Sequence, residues 1–463
     1  MKKYLSLILA IVMVISLTAC SGGKKEEVAT NNGTAEAGSS TEASSAAEDS
    51  TGKAPFSGTL TIACGPLEAA ALDKVLAEYQ KTNPDVKIDT IVTQTVTDFE
   101  TMMTSWIASD NLPDMYLQQN GATEQGYAKS GYLLPLTDTG FKDRLVDGDL
   151  DLLSYNGDLY AFPMTLEVSA VIVNKGALSA AGIDLNNDNY PKSWPEFLSL
   201  LDKCAAAGIE KPLGIAGKDT SEVTAWTFQY VYQSIYGKNP NWYADILRGK
   251  AAWNDDLYLG MFDKYAQMLP YIPDDALGAD KDSMRKSFIT GETPIIFQTA
   301  MVVGSIKELD PDVEIMVLPS CFTDDSKDQT LISSFGCGAS ITSKTKNKEL
   351  CLDFLDFLTS EQGSTIFNES TKYLPTTKDN KAKLDPAFDL IADISSNNKL
   401  PNSRILSREW IPGIKEIVKN GQQNWFAGQD AKSVADQIQE EHKRLVEADP
   451  EWVKDFLDNY VDK

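Results

Sequence analysis

Two kinds of apolar spacing alternate from Thr59 onward. Thr59 to Cys64 is a short β-prone run closed by Gly65-Pro66, and Leu72, Val75, Leu76 and Tyr79 then recur at helical spacing until Asn83-Pro84. Val86 to Val92 reads as a second strand, and Phe99, Met102, Met103 and Trp106 as a second amphipathic helix. Met115-Tyr116-Leu117 is a third strand that runs into the polar cluster Gln118-Gln119-Asn120-Gly121. Strand and helix alternating in this way predict an α/β fold, a mainly parallel sheet flanked by helices.

Open sheets of this kind place ligands beyond the carboxyl ends of their strands. Gly65 to Glu68, Gln94, and Gln118, Gln119 and Asn120 therefore become candidate ligand residues. Further along, Asn156-Gly157 between short strands is hairpin chemistry. Val168 to Val173 is strongly β-prone, with Glu167 immediately before it. Trp194 to Ala206 reads as a helix that Ser193 can cap, with Pro195 at an early helical position. Helices are also expected over Glu222 to Tyr236, Leu257 to Met268 and Lys348 to Leu358, the last with Leu350, Cys351, Phe354, Leu355 and Leu358 inward.

The N-terminus changes the picture from fold to compartment. Lys2 and Lys3 precede an apolar run from Leu5 to Leu17, short for a membrane span and suited to a signal-peptide core. It ends in Leu17-Thr18-Ala19-Cys20, which resembles the lipobox of bacterial lipoproteins; that resemblance implies lipidation of Cys20 and anchoring on the extracytoplasmic face of a bacterial cell membrane. Residues 21–55 are rich in Ser, Thr, Ala, Gly and Glu and nearly free of large apolar side chains, the composition of a disordered tether. A body starting near Phe56 is too long for one ordinary core and predicts two lobes.

Composition excludes more than it assigns. A formal net charge of −25 argues against gripping a phosphate backbone, so no nucleic-acid partner is expected. Beyond Cys20, five cysteines lie far apart with no Cys-x-x-Cys pair, which reads as buried free thiols and no metal; a Cys321–Cys337 bridge stays open. The single histidine, His442 in Gln-Glu-Glu-His-Lys-Arg, reads as part of a solvated helical face. Without a second histidine most triad and histidine-metal chemistries fall away, while a two-carboxylate glycosidase has no distinguishing motif here. The chain is expected to be no enzyme and to need no cofactor.

Met284-Arg285-Lys286-Ser287-Phe288-Ile289-Thr290-Gly291-Glu292-Thr293-Pro294 resembles a signature of family 1 extracellular solute-binding proteins. Val317-Leu318-Pro319, Gly338-Ala339-Ser340-Ile341, Ser360-Glu361-Gln362-Gly363, Tyr160-Ala161-Phe162-Pro163 and Pro191-Lys192-Ser193-Trp194-Pro195 follow the same family in order, over about residues 58 to 445. The resemblance, nearest to the maltose-binding branch, implies a two-lobed periplasmic-binding-protein fold with the ligand between the lobes. The expected division is 1–19 signal peptide, 20–55 lipidated cysteine and tether, 56–162 with 336–376 as lobe 1, and 163–335 with 377–463 as lobe 2. It also implies a monomer that captures a carbohydrate by hinge closure and delivers it to ABC permease subunits. Carried over, Glu167 matches a sugar-binding acid at the first crossing, and Trp226 and Trp410 fall near aromatic positions of the other lobe. Met301 stands where a stacking tryptophan is common, and Gln118 replaces an aromatic. Core packing is the competing role for Trp226, Trp410 and Met301. A polyamine or peptide ligand, or a sensory partner such as a receptor kinase, are the alternative readings.

Overall fold

The computed structural model describes residues 54–458 except 120, 147, 149, 220–226, 398 and 404. The expected signal peptide, Cys20, most of the tether, Asn120 and Trp226 lie outside the described residues.

Thirteen strands are seen among these residues: β1 (Ser57–Cys64), β2 (Asp85–Val92), β3 (Met115–Gln119), β4 (Ser154–Tyr155), β5 (Asp158–Leu159), β6 (Phe162–Pro163), β7 (Leu166–Asn174), β8 (Leu213–Gly214), β9 (Ile295–Thr299), β10 (Ile315–Pro319), β11 (Leu331–Phe335), β12 (Cys337–Ile341) and β13 (Asn402–Ser403). β4 and β5 form the expected hairpin. Asn156 and Gly157 both take positive φ, 52° and 87°, as a two-residue turn of this hand requires. The other strands build two sheets, β2-β1-β3-β12-β6 and β13-β11-β7-β9-β8, with β10 also paired to β7.

Strand direction follows a rule that local periodicity does not carry. β1 runs parallel to β2 and β3, whereas β12 is antiparallel to β3 and β6. In the second sheet β7 is antiparallel to β9, β10 and β11, while β8 with β9 and β11 with β13 are parallel. Each sheet is thus unidirectional apart from one strand, and that strand is the one the chain enters directly from the other sheet. β6 passes to β7 through Met164-Thr165, and β11 passes to β12 through Gly336 alone. The antiparallel ladders come from β12 in the first sheet and from β7 in the second, while the remaining strands of each sheet share one direction.

Gly336 is required where the two crossings touch. A Cβ there would lie 2.7 Å from Thr165 Cγ2 and 3.1 Å from Glu167 Cβ, and the Gly336 amide donates to the Thr165 carbonyl at 2.8 Å. Each sheet has its own apolar core. Leu60, Ile62, Leu117, Phe162, Ala339, Phe354 and Leu358 belong to one, and Val171, Ile172, Phe197, Ile296, Val317 and Ile438 to the other. The helix Lys348–Leu358 turns all five expected side chains inward. The helix Lys281–Thr290 ends on Gly291, whose φ of 80° explains the glycine of that segment.

Three local expectations are corrected. Glu167 lies within β7 rather than before it. Ser193 makes no side-chain cap to the helix Trp194–Ala206; instead Glu196 reaches back and accepts from the Lys192 amide at 2.7 Å. His442 is 2% exposed and belongs to the inner face of the helix Ala431–Ala448, with Ile438 and Val434 one and two turns before it. Among the described residues no helix is long and apolar enough to cross a membrane.

Candidate functional site

Where the two sheets meet, the ends of β1, β2, β3 and β9 surround a cavity of about 280 Å³. From the first sheet Glu68, Gln94 and Gln118 reach it; from the second come Glu167, Thr299 and Met301. Five residues chosen from strand ends and resemblance therefore line one space. Met301, two residues past β9, packs against the core of the first sheet and so spans the junction.

Each polar group is held by a named partner. Gly65-Pro66 opens the helix Pro66–Tyr79 and puts Glu68 in its first turn, where amide dipoles favour a carboxylate. The Glu68 carboxyl accepts the Tyr373 hydroxyl at 2.6 Å and is 7% exposed. Burial pushes its pKa up, against the lowering effect of the Tyr373 bond. A Cβ on residue 65 would come within 2.4 Å of Glu68 Oε2, so glycine gives that carboxyl its place. Gln118 donates through Nε2 to Thr93 Oγ1 at 2.8 Å, which links the ends of β3 and β2. Gln94 is exposed at the cavity edge, next to Thr95, whose hydroxyl accepts from the Asp98 amide at 3.0 Å and caps the helix Val96–Ser109.

Glu167 is 2% exposed and forms a buried ion pair with the Arg408 guanidinium. Arg408 Nη1 also donates to Ser334 Oγ at 2.7 Å and to the Phe335 carbonyl. The arginine thus fastens the β7 crossing to the β11–β12 crossing.

Trp410 does not line this cavity. It is 5% exposed and packs edge-on against Trp253 at 5.1 Å and Tyr232 at 5.6 Å between ring centres. The Gln119 backbone pairs with Cys337 at the end of β3. All five described cysteines are free and buried, and burial raises the thiol pKa of Cys337 beside the cavity. Among the described residues no group of three His, Cys, Asp or Glu side chains is placed to hold a metal.

The bacterial extracellular solute-binding protein family matches residues 65–365, well over half of the chain. The chain belongs to this family. Its members act outside the cytoplasm and are binding proteins rather than enzymes. Among curated relatives, the multiple sugar-binding protein of Streptococcus mutans is 24% identical over 165 residues, 35% of this chain and 36% of that protein. The chain spans less than half of the length of the first curated relatives it matches. A chitin oligosaccharide binding protein superposes with a TM-score of 0.72 at 18% identity, covering 84% of this chain and 99% of the other. A sugar transporter of Bacillus licheniformis in complex with stachyose gives 0.69 at 19%, covering 84% and 100%. These solved structures establish the two-lobed α/β fold of the solute-binding protein.

Sequence reasoning passed over Arg408, Tyr373 and Thr93, the partners that orient the family member's cavity residues. Arg408 lies 241 positions from Glu167, and Tyr373 lies 305 from Glu68. Thr93 was within reach, since it follows β2 directly and precedes Gln94.

Proposed function

We propose that this solute-binding protein captures a carbohydrate between two lobes and hands it to an ABC importer. Supporting this most directly is the cavity at the junction of the sheets, into which Glu68, Gln118, Glu167 and Met301 converge from separate segments. Fixed carboxyl and amide groups suit sugar hydroxyls, which need paired donors and acceptors, while Met301, Leu117 and Tyr373 offer apolar surface to a ring face. Binding proteins for sugars among the relatives and solved structures support the same ligand class. Lobe 1 comprises 56–162 with 336–376 and lobe 2 comprises 163–335 with 377–463, in keeping with the separate cores. The mechanism is hinge closure at the crossings beside Thr165 and Gly336: ligand contacts made from both lobes favour the closed form. Lipid on Cys20 anchors the protein, and residues 21–55 tether the body to the membrane.

A thermal-shift screen of residues 54–463 against mono- and oligosaccharides, polyamines and amino acids tests this reading. A sugar at 100 times its dissociation constant stabilises the folded state by about 2.7 kcal/mol. Loss of that shift in Gln118→Ala supports the site. Silence from every sugar with a clear polyamine or amino-acid response overturns the ligand class.

A further inference from the structure

Glu167 is buried and forms part of the cavity wall, and its orientation comes from a side chain that lies outside that wall. Arg408 is 4% exposed and reaches Glu167 Oε2 through Nη2, while Nη1 grips Ser334 Oγ and the Phe335 carbonyl. Its Nε has no hydrogen-bond partner, so the two Nη groups alone set the plane of the guanidinium. Arg408 engages Oε2 of a carboxylate that lines the cavity. The backbone of Arg408 also touches the opposite sheet's domain: a Cβ on Gly121, at the start of the helix Ala122–Lys129, would lie 3.3 Å from the Arg408 carbonyl oxygen. One residue therefore meets both inter-sheet crossings, a cavity carboxylate and the facing lobe.

We propose that Arg408 is the positioning residue of the ligand site. It holds the Glu167 carboxylate aimed so that one oxygen serves the ligand, and it ties that aim to the two crossings between the sheets. The assignment rests on the carbohydrate reading above. Lysine cannot reproduce it, because a single ammonium cannot grip Glu167, Ser334 and Phe335 in the planar fork that arginine provides.

The test uses the full chain in mild detergent with D-galactose, maltotriose and raffinose as probes, by titration calorimetry well below the melting temperature of every variant. Arg408→Met and Glu167→Gln each raise the dissociation constant of the bound probe roughly tenfold or more, and the double variant is no weaker than the weaker single one, because the two act as a unit. Arg408→Lys recovers only part of the affinity. A lowered melting temperature with an unchanged dissociation constant in Arg408→Met makes Arg408 merely structural and overturns the proposal, as do losses that add in the double variant. If none of the three probes binds the unmutated chain, the carbohydrate reading fails for these classes and this assignment falls with it. That outcome differs from one in which the unmutated chain binds and Arg408→Met binds equally well.

Discussion

Replacing His442 with leucine exposes two opposed titrations inside the fold. The Tyr243 hydroxyl accepts from the Ile411 amide at 2.7 Å, so its own proton is free to donate to His442 Nε2, 3.3 Å away. That bond needs a neutral imidazole, and burial lowers the His442 pKa from 6.5 to about 4. In the unfolded chain the imidazole keeps its ordinary value, so between these limits the unfolded state binds more protons. The His442 contribution is complete above pH 6.5 and is lost as pH falls toward 4, about 3 kcal/mol in all. Glu124 works the other way. It is fully enclosed, accepts from Tyr116 at 2.8 Å and from Ser340 at 2.7 Å, and burial raises its pKa from 4.5 to about 7. Its contribution is complete below pH 4.5 and is lost as pH rises to 7, again about 3 kcal/mol. The two nearly cancel across this range. Chemical denaturation of residues 54–463 at pH 7 and pH 4.5 reads the difference: relative to the unmutated body, His442→Leu gains stability on acidification and Glu124→Gln loses it, each by about 3 kcal/mol. Surface groups common to all three proteins drop out of the comparison. Parallel stability-pH curves for the three refute the reasoning.

Further expectations follow from contacts in and around the cavity. Gly65→Ala pushes the Glu68 carboxyl from its place, since the new Cβ would meet Oε2 at 2.4 Å; unfolding free energy changes by less than about 1 kcal/mol while sugar affinity falls, measured by denaturation and calorimetry on the same sample. Trp410→Ala removes a ring wedged against Trp253 and Tyr232 and costs about 3–5 kcal/mol of stability, seen as a lower denaturation midpoint; a midpoint left in place contradicts its burial. Gly121→Leu places a side chain against the Arg408 carbonyl oxygen, 3.3 Å from the new Cβ, and keeps the lobes from closing. Small-angle scattering then shows no ligand-induced contraction, although no cavity-lining residue has changed.

Much of this architecture can be read from local pattern. The five inward residues of Lys348–Leu358 follow from helical spacing, the turn at Asn156-Gly157 from the positive φ both residues tolerate, and Glu68, Gln94 and Gln118 from their places after strands. Long-range pairing stays hidden. Nothing in the apolar run of β7 shows that it opposes its neighbours, because strand direction depends on which strand the chain later lays beside it. The Arg408 partnership with Glu167 joins segments that share no local signal. His442 was hidden by composition rather than distance. Its charged neighbours suggest a wet surface, yet Val434, Ile438 and His442 recur every four residues and mark the buried face.

Direct titration of the body with neutral sugars tests the central claim most closely, with Gln118→Ala as the paired control. Saturable binding of one molecule per chain, weakened at least about tenfold in Gln118→Ala without a change in folding, is the predicted result. A sugar that binds both proteins equally, or no sugar that binds either, contradicts the assignment of this cavity as a carbohydrate site.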